Sequence, residues 1–443
     1  MYSHERPKKT VAVWGVGHIG ITTLSSLADV GYKCIAIDIN AEVIINIRNK
    51  NDCLPLSKVY CEISYFKIKN AKDIEAFSPD EFLSKKIKID AHFVSVPTES
   101  QGLPQVEDVY SVIQNICDYE KNQPNSDISI IIESTLIPGT AKELHENLKS
   151  ALPNKTIHFI IAPRRDWFEK DHDIRDIIRI YGAESDVSTS IAEEYLKITT
   201  PNLKRASHYE VAEIVKPVEN AFRHLDIMLA QQLSLVYSEI DIREVLELAG
   251  TKWNMQTYYP SIGIGGYCIP VSSKYILAAN VNKENLTLLN AVIDFEERYA
   301  AIICEYLCSY NIKNIGIIGA TYKNDIPILN GSPIKCIIEQ LKERGVKTYV
   351  SDILFDEKKL KDYFETGIFN IINIDDYSFD GIIFNNWHSA FDTIINDIIL
   401  NKIFSCKFIL DNTGKLEKFA QSNNYKNYRL FGRPFWKKTD LLG

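Results

Sequence analysis

Thr10-Val11-Ala12-Val13-Trp14-Gly15-Val16-Gly17-His18-Ile19-Gly20 opens the chain with an apolar run of strand length, three glycines at GxGxxG spacing, and a helical pattern continuing through Leu24, Leu27 and Ala28. Gly31-Tyr32 ends that helix, Lys33-Cys34-Ile35-Ala36-Ile37 reads as a second strand, and Asp38 closes it. A lone GxGxxG carries little weight. Strand, glycine turn, helix, strand and terminal acid in this order carry much more, because each part has its own physical task. The glycines let a pyrophosphate approach the backbone, the helix N-terminus offers unpaired N–H groups, and the acid accepts from ribose hydroxyls. The pattern predicts a dinucleotide site at Gly15, Gly17, His18, Ile19, Gly20 and Asp38. No basic residue directly follows the acid, which favours NAD over NADP because a 2′-phosphate would be repelled.

Moving outward, the α/β rhythm continues. Ala91 to Thr98 reads as a strand ending in a turn, and Ile128 to Ile132 as a buried strand leading into Glu133-Ser134-Thr135-Leu136-Ile137-Pro138-Gly139-Thr140. Open parallel sheets place ligands at strand C-termini, so Pro97, Thr98 and Thr135 become candidates for the nicotinamide end; turn-capping hydroxyls would look the same. His158 to Ala162 is a further strand, followed by Pro163-Arg164-Arg165-Asp166-Trp167. Arg164 and Arg165 fit a clamp for a phosphate or carboxylate and equally a solvated surface pair.

The 443 residues suffice for two or three domains, and the 45% apolar and 24% charged content is ordinary for globular proteins. A net charge of −8 gives no general attraction for nucleic acid, so an anionic ligand must be held by local groups. The nine cysteines occur as singles without metal-ligand spacing, and no metal site is expected. Met1 to Thr10 is short and polar, and no apolar run reaches the roughly 18 residues of a spanning helix. A soluble cytoplasmic protein is the expectation.

From Glu210 to about Ala249 one long helical pattern runs, with a kink or boundary expected at Pro217. Lys216, Asn220 and Arg223 fall on one face of it. Next comes Tyr259-Pro260-Ser261-Ile262-Gly263-Ile264-Gly265-Gly266-Tyr267-Cys268-Ile269-Pro270, a glycine loop that delivers a single cysteine. Glycines let a backbone come close to something, which suits presentation of a thiol; a plain turn with a small buried residue would share the pattern. After a helix over Asn290 to Ser309 a second α/β unit begins. Its strand Asn314 to Ile318 is followed by the turn Gly319-Ala320-Thr321-Tyr322-Lys323, a helix over Pro333 to Arg344, and strands at Lys347 to Val350, Phe379 to Phe384 and Phe408 to Leu410. The fold class is therefore α/β, with two Rossmann-like, doubly wound parallel sheets joined by a helical spine. The expected domains are 1–205, 206–309 and 310–443, with the middle one serving as spine and dimer surface.

In the order of its motifs the chain resembles the UDP-glucose/GDP-mannose dehydrogenase family, the NAD-dependent nucleotide-sugar 6-dehydrogenases, over nearly its whole length. The resemblance rests on Gly15 to Gly20 with Asp38, Ser134-Thr135 with Pro138-Gly139-Thr140, Lys216 with Asn220 and Phe222-Arg223, and Gly263 to Pro270. Gly319 with Tyr322-Lys323 and Ser332-Pro333, and Gly432-Arg433-Pro434, complete it. It implies an NAD domain, a C-terminal nucleotide-sugar domain and a homodimer built on the long helix, in an enzyme of polysaccharide biosynthesis. It also implies oxidation of a sugar C6 alcohol, a UDP-sugar by preference, to a carboxylate in two hydride transfers. Cys268 would be the nucleophile that captures the aldehyde, Lys216 and Asn220 would stabilise an oxyanion, and Thr135 would stand with them. Arg164, Arg165, Arg223, Tyr259, Gly263, Gly265, Gly266, Tyr322 and Lys323 would face the nucleotide sugar.

The departures are specific. The family's Pro-Glu is Pro163-Arg164 here, the aspartate four residues after the cysteine is Ser272, its Asp-x-Arg is Ile328-Leu329-Asn330, and its Asn-Glu pair is Gln231-Gln232. Loss of two carboxylates leaves open an altered substrate or product. A non-catalytic relative that binds NAD or a nucleotide sugar is the other reading.

Overall fold

The computed structural model describes residues 9–50, 68–71, 73–124, 126–166, 174–266, 268–279 and 283–434. Trp167, Tyr267 and the polar stretch before Lys9 lie outside them. The chain divides into two compact units, Met1–Glu219 with Lys274–Lys283, and Asn220–Ser273 with Glu284–Gly443.

The first unit contains β1 (Thr10–Trp14), β2 (Lys33–Ile37), β3 (Ile74–Phe77), β4 (Ala91–Val94), the hairpin β5 (Glu99–Ser100) and β6 (Leu103–Pro104), β7 (Asp127–Ile132), β8 (Thr156–Ile161), β9 (Arg179–Ala183) and β10 (Leu203–Arg205). Eight of these form one sheet in the order β10-β9-β8-β7-β4-β1-β2-β3. Neighbours in it run parallel except β8 and β9. Both faces are covered, which is why the strands read as continuous apolar runs. Val11 and Val13 pack with Leu24 and Leu27 on one face, while Ala12 and Trp14 pack with Val109 and Ile116 on the other. Strand order reverses beside β1, whose neighbours are β2 and β4. That reversal opens a crevice at the strand C-termini.

The second unit contains β11 (Asn314–Ile318), β12 (Lys347–Ser351), β13 (Gly367–Ile368), β14 (Gly381–Phe384), β15 (Phe408–Asp411) and β16 (Tyr428–Leu430), all parallel, in the order β13-β12-β11-β14-β15-β16. Counted along the chain this repeats the order of β3-β2-β1-β4-β7-β8. Its reversal lies between β11 and β14, so Gly319 to Lys323 and Asn385 to His388 share one end of the sheet.

The long helical pattern is two helices, Tyr209–Val236 and Ile242–Ala249. The first, of 28 residues, passes through Pro217 without a boundary, although an interior proline removes one N–H donor and crowds the carbonyl four residues back. The break falls instead just before Asp241, whose side chain caps the second helix by accepting from Glu244 N at 3.0 Å. Among the described residues no helix is long and apolar enough to cross a membrane.

Candidate active site

In the first unit the fingerprint is assembled as its sequence requires. Gly15 N donates to Ile37 O at 2.8 Å, which closes the turn onto β2. A Cβ on Gly20 would fall 1.9 Å from Gly15 O, so this position tolerates only glycine. Gly17 meets nothing within 4 Å, leaving room for a ligand at the start of the helix His18–Asp29, which has no side-chain cap. Asp38 accepts from Val16 N at 2.7 Å and from Asn40 N at 2.8 Å, which aims its half-exposed carboxylate along the glycine turn. Gly15, Gly17, His18, Ile19, Asp38 and Pro97 line one cavity of about 590 Å³. Its charged residues, Asp38 and Asp108, are acids, an electrostatic surround that suits NAD and opposes a 2′-phosphate. Burial lowers the pKa of His18, which favours the neutral imidazole.

Gly20, Thr98 and Thr135 stand outside the walls of that cavity. Thr98 is buried, its carbonyl oxygen accepting from the Tyr275 hydroxyl and its Oγ1 lying 2.7 Å from the same oxygen; Thr135 is half-buried. Sequence reading passed over Asp108, Ser111, Val112 and Asn115, which line the cavity from the helix Glu107–Glu120. Their three- and four-residue spacing marks one helical face, and that was the available signal.

Arg164 forms an internal strut, where a ligand clamp was one of the two readings. It is buried, and it donates to Asp166 through Nε at 2.9 Å and Nη2 at 2.7 Å, to Thr23 Oγ1 at 2.8 Å and to Thr22 Oγ1 at 3.0 Å. Its remaining charge faces Glu133 at 3.6 Å. Glu133 also holds Arg179 and accepts from Thr23 and Ser95 hydroxyls, each at 2.7 Å. Burial pushes the Glu133 carboxyl up, and Arg179 with Arg164 more than offset it, so it is held below the usual carboxylate range. Arg165 is likewise engaged, donating to Glu219 Oε2 and Ile178 O, each at 2.7 Å.

In the second unit Cys268 is the exposed first residue of the helix Cys268–Ala278. Its carbonyl oxygen is gripped from two sides. Asn220 Nδ2 donates to it at 3.3 Å and to Ser272 Oγ at 2.8 Å, and the Ser272 hydroxyl donates back to the same carbonyl. Asn220 Oδ1 accepts from Arg223. The amide and the serine that stands where the family has aspartate therefore act on the start of the cysteine helix. Lys216 lies one turn before Asn220 on the long helix and is half-buried.

The loop glycines serve contact between loops. A Cβ on Gly265 would come within 3.0 Å of Tyr322, and one on Gly263 within 3.1 Å of Pro333. Gly266 has φ +86° and donates to Gly331 O at 2.8 Å. The glycine loop, Tyr322 and Ser332-Pro333, distant in sequence, are thus one structure. Tyr259 lies beneath the Arg243 guanidinium, 5.1 Å from ring centre to carbon, and Arg243 donates to Phe431 O at 2.5 Å. Arg243 gave no sequence signal. Lys323 O accepts from the Thr321 hydroxyl at 2.7 Å, and Asn385 donates to Gly319 O and Thr321 O, each at 2.9 Å. Among the described residues no cluster of metal-ligating side chains occurs, and all seven cysteines are unpaired.

Residues 9–197 match the model of the UDP-glucose/GDP-mannose dehydrogenase family NAD binding domain, and residues 210–298 match that family's central domain. The UDP-N-acetyl-D-mannosamine dehydrogenase of Methanococcus aeolicus is 26% identical over 446 residues, spanning 97% of each chain. The UDP-N-acetyl-D-glucosamine 6-dehydrogenase of Pseudomonas aeruginosa is 26% identical over 430 residues, spanning 90% of this chain and 97% of that protein. The solved UDP-D-ManNAc dehydrogenase of Pyrococcus horikoshii shares the fold with a TM-score of 0.75 at 21% identity, over 96% of this chain and 99% of that one.

Proposed function

We infer that this chain, which belongs to the UDP-glucose/GDP-mannose dehydrogenase family, oxidises the C6 alcohol of a UDP-N-acetylhexosamine through a covalent adduct on Cys268. It is an NAD-dependent nucleotide-sugar dehydrogenase, an oxidoreductase. The observation that carries the adduct is the exposed thiol at the head of a helix whose first carbonyl is held by Asn220 and Ser272. The choice of sugar rests on the names of its relatives.

Two molecules of NAD, held in turn along Gly15, Gly17, His18, Ile19 and Asp38, would each supply an acceptor for one hydride, the first for the alcohol and the second for the adduct. Cys268 adds to the aldehyde and gives a thiohemiacetal, which loses the second hydride and a proton to become a thioester. Water then releases the acid and returns the thiol. Lys216, Asn220 and Thr135 serve the chemistry, the first two at the developing oxyanion, and Lys323, Tyr322, Arg223 and Tyr259 serve the nucleotide sugar. Release is the slow step, because position 272 carries a hydroxyl already committed to Cys268 O and Arg164 is committed to its internal ion pairs.

A homodimer and a cytoplasmic setting complete the reading. Phe222, Leu229 and Val236 recur every seventh residue on the long helix and are exposed at 65%, 56% and 72%, an apolar stripe suited to a second copy. The unpaired cysteines suit a reducing compartment. The test is incubation with NAD and a panel of UDP-sugars, followed by mass spectrometry of products and protein. Gain of one oxygen with loss of two hydrogens identifies the acid, and a mass added on Cys268 identifies the adduct. Full turnover by Cys268→Ala would sink the covalent course.

A further inference from the structure

We propose that His224 is a positioning residue for Cys268, acting by fixing the second turn of the cysteine helix; this rests on the reading of Cys268 as nucleophile. Asn220 and His224 lie four residues apart on the long helix and so share a face. Asn220 holds the first turn of the cysteine helix through Cys268 O and Ser272. His224 holds the next position, with Nδ1 3.0 Å from Ser273 Oγ. From the helix Thr287–Ser309, Glu296 sets Oε2 3.3 Å from Nε2. His224 and Ser273 are both 0% exposed.

A fully buried imidazole is costly unless its nitrogens have partners. The carboxylate of Glu296 calls for the proton on Nε2, leaving Nδ1 to accept from the Ser273 hydroxyl. The Glu296 contact is in ion-pair range but misaligned for a hydrogen bond, so the link to Ser273 is the tighter of the two. A serine inside a helix ordinarily gives its proton to the carbonyl one turn back. Here that proton ties the cysteine helix to the long helix. Release of the tie lets the first turn shift, and a displacement of about 1 Å at a reacting group can cost about 100-fold in rate.

Four variants test this: His224→Asn keeps a polar atom at the δ position, His224→Gln reaches only the ε side, His224→Leu fills the volume, and Ser273→Ala deletes one hydroxyl. The readouts are kcat and KM with NAD and the UDP-N-acetylhexosamine that turns over, and the rate of Cys268 alkylation by iodoacetamide, resolved by peptide mass spectrometry. Circular dichroism checks the fold. Gln, Leu and Ser273→Ala are expected to lower kcat and change the alkylation rate by about 10-fold or more, with KM for NAD within about 2-fold and His224→Asn within about 3-fold of the parent. Parental kcat and alkylation rate in Ser273→Ala or His224→Gln overturn the proposal, as does an Asn variant no better than Leu. Ser273→Ala decides alone if the His224 variants do not fold. Should Cys268→Ala retain activity, the nucleophile reading fails separately, and the alkylation rate still reports whether His224 positions the thiol.

Discussion

The Tyr275 hydroxyl donates to the Thr98 carbonyl oxygen and lies 2.7 Å from Thr98 Oγ1, with both residues buried. The contact pins the end of the segment that carries Ser95, Val96 and Pro97 on the cofactor cavity wall. Tyr275→Phe leaves the Thr98 carbonyl and hydroxyl without that partner, at a cost of about 1–3 kcal/mol. NAD affinity measured by calorimetry is expected to fall about 5-fold or more, and an unchanged affinity counts against this role.

Glu213 on the long helix accepts from Gly139 N at 2.9 Å and Ala141 N at 2.7 Å, supplying the cap that the helix Thr140–Ala151 lacks at Gly139. Burial pushes its carboxyl up from 4.5 to about 7, against those two N–H groups and with Glu210 and Glu143 adding to the rise. A raised acid favours the folded state while protonated. Its contribution is complete below about 4.5 and lost as pH climbs through about 7. Urea unfolding is expected to show stability falling across that window by up to on the order of 3 kcal/mol, and Glu213→Gln should flatten the slope.

Arg164→Met removes the partner of Asp166 and one of the two cations on Glu133. Breaking a buried pair from one side costs about 3–5 kcal/mol, so the denaturation midpoint should drop sharply. Arg164→Glu restores the family's carboxylate but places three acids in one buried nest. It is expected to yield no folded protein; a folded, faster enzyme would contradict the strut.

Asp38→Asn keeps the shape of the fingerprint acid and removes its charge. The KM for NAD should rise about 10-fold or more, because a charge-assisted bond contributes about 1.5–3 kcal/mol. With the repulsion gone, the preference for NAD over NADP should narrow. Steady-state kinetics with both cofactors measure the ratio.

Ser272→Asp retains an acceptor for Asn220 and puts a base beside the start of the cysteine helix. General base catalysis is typically worth about 10²–10⁴-fold. If thioester release limits turnover, quenched-flow should show the rapid first phase unchanged and the steady rate at least about 10-fold higher. A steady rate that stays put refutes release as the slow step.

The fold was legible where the signal is local. Thr10 to Asp38 reads directly because each part of the fingerprint neighbours the next, and Asn314–Ile318 was bounded correctly by its apolar run. Short or half-exposed strands such as β3 and β10 escaped, since three or four residues give no usable period. In the candidate site, residue types were legible but partners were not. Glu213 lies 74 residues from Gly139, and His224 lies 49 from Ser273. Arg164 looked the same in sequence whether it faced a ligand or Asp166, because only burial separates the two.

The repeated strand order gives the chain two acids at the same topological address with opposite availability. Asp38 ends the second strand of its sheet half-exposed, whereas Asp352, just past β12, is buried, holding Ala320 N at 2.6 Å, Leu354 N at 2.8 Å and His388 Nε2 at 3.0 Å. His388 in turn accepts from Asp325 N at 2.9 Å, so one imidazole fastens the loop after β11 to the loop after β14. The first crevice can offer a ribose diol a carboxylate; the second has sealed its own inside a latch. Duplicate architecture thus yields two non-interchangeable berths, told apart by what each does with a single aspartate.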